Sequence, residues 1–61
     1  MDKIDLMKQI TSSFSLYGAA KWLSKNRIEL NNQTPAQYIR QDKIQDVHSL
    51  LREDTKKNGG N

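Results

Sequence analysis

Thr34-Pro35-Ala36-Gln37 is the stretch on which the reading of this chain turns. Thr34 can accept a hydrogen bond from the amide of Gln37, while the Gln37 side chain reaches back to the amide of Thr34. Pro35 then takes the first helical position, where no N–H is needed. These residues predict a helix start, with a short helix running to Arg40 and turning Ala36 and Ile39 inward. Just upstream, Asn31-Asn32-Gln33 has turn chemistry. Ile28 and Leu30 are the apolar residues expected to pin that connector to a core.

Outward from this point the chain reads as more helix. Asp42, with Gln45 three residues on, predicts the start of a last helix carrying Ile44, Val47, His48 and Leu51 on one stripe and Leu50 on its flank. Glu53 and Asp54 fall at the negative end of that helix dipole, where fraying is expected. Towards the N-terminus, Ser15 is an N-cap for a helix with Leu16, Ala19, Ala20 and Leu23 at i, i+3, i+4 and i+7. Phe14 and Ala19 have the spacing of a hydrophobic staple around that cap. Gly18 costs the helix about 1 kcal/mol relative to Ala, which closer approach of a neighbouring helix can offset. The helix should stop within residues 24–26, with Asn26 in the left-handed cap conformation. Ile4, Met7, Ile10 and Phe14 predict a first helix over 2–12. The expected fold is all-α: a small compact bundle of four short helices over residues 1–54, then a flexible basic tail over 55–61.

Composition narrows the classes of function. A 61-residue chain hides only about 60 % of the surface its unfolded form exposes. There is no Cys and a single His, so neither a disulfide nor a metal site is expected. No apolar run reaches the roughly 18 residues that span a bilayer, and Met1-Asp2-Lys3-Ile4-Asp5 has no signal-peptide character. A cytoplasmic protein with no membrane contact is expected. The formal net charge is +3, but Lys56 and Lys57 belong to the tail. Without them eight basic residues face seven acidic ones, a net of +1. A DNA-binding domain usually presents a basic face, and the near-neutral body lowers that expectation.

No catalytic constellation is present: no nucleophile-elbow turn, Gly-rich phosphate loop or His-Glu-x-x-His helix. An enzyme is not expected, nor a cofactor. His48 reads as a boundary residue of the core. What remains is surface. On the second helix Trp22 lies roughly 60° outside the apolar stripe, with Tyr17 and Lys21 on the opposite flank. Trp22 either covers the connector or anchors an interface, and with Leu50 it forms either shared core or the seam of a homodimer. A partner-binding surface is expected at Tyr17, Lys21, Trp22 and Arg27, because large aromatics and Arg concentrate in binding hot spots.

Ala19-Ala20-Lys21-Trp22-Leu23, the connector ending in Leu30, Thr34-Pro35-Ala36-Gln37-Tyr38-Ile39, and Val47 with Leu50-Leu51 resemble the toxin-binding domain of the Xre/MbcA/ParS-type antitoxins. The likeness covers residues 16–52. It implies a compact helical domain that binds and neutralises a partner toxin, commonly an enzyme acting on NAD, and often forms a homodimer. Two features depart from that pattern. Only 15 residues precede the similar part, where the family usually carries a helix-turn-helix, and Asn31-Asn32 replaces the Gly-Gly that often follows the connector Leu.

The leading expectation is a non-catalytic protein-binding module, antitoxin-like or a phage- or plasmid-encoded modulator that inhibits a partner enzyme. One alternative is a small helix-turn-helix-like DNA-binding protein, contacting nucleic acid through Gln37, Arg40, Gln41, Lys56 and Lys57. Against it, the connector over 24–33 is longer than the usual turn. A structural homo-oligomeric subunit is the other alternative.

Overall fold

The computed structural model describes residues 2–59, with side chains through Lys56. Four α-helices form: α1 (Lys3–Ser13), α2 (Leu16–Leu23), α3 (Pro35–Arg40) and α4 (Ile44–Gly59). A 3-10 turn, Ile28–Leu30, lies between α2 and α3. Among the described residues there is no strand, only an isolated antiparallel bridge between Arg27 and Gln33. The fold is the all-α bundle expected. No described helix is long and apolar enough to cross a membrane.

Three helices start on a side-chain cap: those predicted at Ser15 and Thr34, and one at Asp2 that was not predicted; the cap predicted at Asp42 is the exception. Asp2 accepts from the amide of Asp5 at 2.9 Å, and Ser15 accepts from Gly18 at 3.0 Å. At α3 both halves of the capping box form: Gln37 N donates to Thr34 Oγ1 at 3.1 Å and Thr34 N to Gln37 Oε1 at 2.8 Å. Asp42 adopts a left-handed φ of 64° and closes the end of α3 instead of opening α4. Its amide donates to Ile39 O at 3.0 Å, and Lys43 N to Tyr38 O at 2.9 Å, the paired bonds of a Schellman motif.

The core gathers Leu6, Ile10, Ala19, Leu30, Tyr38, Val47 and the inner residues of α4. On α1 the buried residues are Leu6 and Ile10, while Ile4 and Met7 face solvent. On α4, Leu50 is buried beside Leu51, so it is core and does not form a dimer seam. Tyr38, which the apolar spacing did not single out, is 4 % exposed, and Asn31 Nδ2 donates to its hydroxyl at 2.9 Å. His48 is half-buried with Nε2 3.2 Å from Gln9 Oε1, the boundary position expected.

Two expectations about α2 and its connector change. Leu16 and Ala20 are exposed, and the side that packs inward carries Ala19, Trp22 and Leu23. The helix is thus rotated roughly 60° towards Trp22 from the predicted stripe. In the connector Leu30 is buried but Ile28 is 85 % exposed. A 3-10 turn has three residues per turn, so positions i and i+2 leave it in different directions and only one can reach the core. The left-handed residues are Asn31, Asn32 and Asp42, and Asn26 is not among them. The last helix continues past Glu53 and Asp54, taking in Thr55 and Lys56. Gly60 and Asn61 of the expected tail lie outside the described residues.

Candidate partner-binding surface

The four residues expected to meet a partner separate into two pairs. Trp22 and Arg27 turn towards Asp54 of α4. The indole Nε1 donates to Asp54 Oδ2 at 2.7 Å. The Arg27 guanidinium grips the same carboxylate with two bonds, Nη1 to Oδ2 at 2.6 Å and Nη2 to Oδ1 at 3.1 Å. Arg27 and Asp54 side chains are only 16 % and 18 % exposed. This carboxylate therefore ties the end of α2 and the connector to the last helix, through a bidentate geometry that suits Arg. Arg27 also donates to Glu29 at 3.2 and 3.3 Å.

The charges follow from that geometry. Hydrogen bonding to Asp54 raises the Arg27 pKa above its ordinary value, so the guanidinium stays protonated. Hydrogen bonding from Arg27 in turn holds the exposed Glu29 carboxyl below the usual carboxylate range. Trp22 and Arg27 are consequently structural anchors before they are anything else. Asp54, whose place in the sequence suggested only an unfavourable helix end, is the residue that makes them so.

Tyr17 and Lys21 stay outside. Tyr17 is 74 % exposed, with Lys21 Nζ 5.4 Å from its ring centroid. Leu16 beside it is 81 % exposed. Sequence reasoning missed Leu16 as a surface residue because it lies on the predicted stripe. On the other side of Lys21 runs a shallow groove lined by Phe14, Gly18, Trp22, Ser24 and Lys25. Phe14 and Trp22 stack along its floor, with centroids 5.9 Å apart and planes at 29°. Gly18 does not serve a neighbouring helix. A Cβ there would stand 3.2 Å from Ser15 Oγ and 3.3 Å from Phe14 Cβ, so the glycine leaves room for the cap and the groove floor.

Of the residues named for nucleic acid, two already bond within the chain. Gln37 is committed to the capping box, and Gln41 Nε2 donates to Gln33 Oε1 at 2.8 Å. Arg40 is exposed on α3, Lys56 is exposed far along α4, and Lys57 lies outside the described side chains. Among the described residues no group of three or more His, Cys, Asp or Glu converges to hold a metal ion. Comparison with protein-family models, curated proteins and solved structures returned no significant match.

Proposed function

We propose that this chain is a non-catalytic protein-binding module, antitoxin-like or a modulator encoded by a phage or plasmid, that docks on a partner enzyme and inhibits it. The observation that carries the reading is the pair of large apolar side chains, Leu16 and Tyr17, held 81 % and 74 % exposed on one helix. That helix is fixed on its other side by the core and by Asp54. The backbone that carries these anchors is already ordered, so that part of the freedom is not lost again on binding. Of the residues that carry the likeness to the antitoxin domain, Ala19, Leu30, Pro35, Tyr38, Val47, Leu50 and Leu51 are buried here, while Ala20, Lys21 and Gln37 are exposed. The buried ones speak to the fold, and the docking surface is taken from Leu16 and Tyr17 instead. The likeness makes a toxin enzyme the first partner to try. In this reading the chain works in the cytoplasm, and any homodimer uses a seam other than Leu50.

Affinity capture from the native host, with and without nuclease, tests the proposal. The expected result is a stoichiometric protein that survives nuclease and is lost from a Leu16→Ala/Tyr17→Ala variant. Truncating a central interface aromatic typically costs at least about 2 kcal/mol, roughly thirtyfold in Kd. Capture that disappears with nuclease would replace this reading with the DNA-binding alternative.

A further inference from the structure

We propose that the groove between Phe14 and Lys25 is the seat of an acidic protein segment. The segment would set one large apolar side chain on the Phe14–Trp22 floor and its carboxylates against Lys21 and Lys25. The assignment rests on the protein-binding reading and gives the partner's contact a chemistry. The floor is apolar for a stated reason: the one polar atom of Trp22 is already satisfied by Asp54, so its ring offers carbon to the groove. Gly18 adds no side chain that would fill the space above Phe14.

The rim is cationic, and among the described residues no carboxylate pairs with it. Between Asp5 and Glu29 the chain carries Lys8, Lys21, Lys25 and Arg27 and no acidic residue. Of these, Arg27 is taken by Asp54 and Glu29. Lys21 and Lys25 form no ion pair among the described residues; Lys21 stands in the last turn of α2 and Lys25 in the bend just beyond it, and both line the groove. Carboxylates on the partner segment match this pair of cations in sign, and complementary charge fixes register as well.

Nucleic acid fits this groove less well. Two lysines neutralise two phosphates, which gives a salt slope of only about −1.4 for a single strand. The two rings are also packed on each other and present no free cleft for a base. A lipid surface would require the apolar groups to protrude, whereas here they form the floor.

Trp22 is the single tryptophan, so its emission reports the groove directly. The test is a fluorescence titration of the full chain with four probes: an amphipathic Leu–Glu peptide, its Leu–Lys counterpart, oligo-dT, and phosphatidylserine vesicles. The Leu–Glu peptide should give a saturable change and bind at least about tenfold tighter than the Leu–Lys peptide. A Lys21→Glu/Lys25→Glu variant should invert that preference with an unaltered melting curve, since both side chains lie on the surface. Equal response to both peptides, or no saturable response to the acidic one, overturns the assignment. So does tighter binding of oligo-dT or vesicles that is lost on the same charge reversal. A partner captured through Leu16 and Tyr17 by a chain whose groove ignores the Leu–Glu peptide would sink this inference alone.

Discussion

Tyr17 with Lys21 and Trp22 with Arg27 are two aromatic–cation pairs on neighbouring stretches of one chain, and they end in opposite surroundings. The first pair makes a contact only with itself, a lysine over an exposed ring. The second is drawn in by a carboxylate from another helix, 32 residues beyond Trp22 and 27 beyond Arg27. Residue type does not separate the pairs, since both combine a large ring with a cation. The difference comes from whether a third group, far along the chain, arrives to complete the hydrogen bonding. A paired cation becomes part of the frame, and an unpaired one stays free to meet something else.

Removing that third group should break the contrast most severely. Asp54→Ala leaves a partly buried indole N–H without its acceptor and a charged guanidinium with only the exposed Glu29 as partner. The loss should be about 2–3 kcal/mol, at the lower end for breaking such a pair because some solvent reaches it. A thermal melt followed by circular dichroism should show the midpoint falling by roughly 10 °C or more. An unchanged melt would show that the clamp does not form in solution.

A smaller effect tests how Arg27 is delivered to Asp54. The connector ends at the capping box of α3, and Thr34→Ala removes half of it, at a cost of about 1 kcal/mol. Urea unfolding should show the midpoint shift with an unaltered slope. On the outer pair, Tyr17→Ala/Lys21→Ala should change stability by less than about 0.5 kcal/mol, as for ordinary surface substitutions. A larger loss on melting would mean that this pair belongs to the frame as well.

The smallest effect is a pH dependence. Arg27 holds the Glu29 carboxyl below its ordinary range, so the contribution of Glu29 is present above the unfolded-state value of about 4.3 and fades as pH falls through the lowered folded value. Arg27, shifted upward, remains protonated through the whole acid range. Glu29→Gln should therefore melt slightly below the parent at neutral pH and match it in strong acid. A gap of equal size at both pH values would mean that the Glu29 charge has no part in it.

Features closed within a few residues were legible in the sequence. The Thr34–Gln37 box, the Ser15 cap and the Asn31-Asn32 turn need only their immediate neighbours, and all three are in place. The stripe of α4 was legible because helical period alone selects Ile44, Val47 and Leu51. What periodicity could not supply was the rotation of α2, because Leu16 and Trp22 compete for the core and the winner depends on Asp54. The same limit hid the burial of Tyr38, whose hydroxyl needed Asn31 before it could go inside. For the candidate surface, Tyr17 and Lys21 are exposed as expected, while Trp22 and Arg27 required knowledge of a distant acceptor.

The connector between α2 and α3 has a consequence for the opening of this small fold. The amides of Arg27, Leu30, Asn31, Asn32 and Gln33 all donate to carbonyls within the same segment, at 2.8 to 3.1 Å. Arg27, which begins it, is held by α4. A segment bonded in this way has no partial opening that frees one amide at a time. In deuterium its protons should therefore exchange as a group, on the timescale of α4 and not of a free loop.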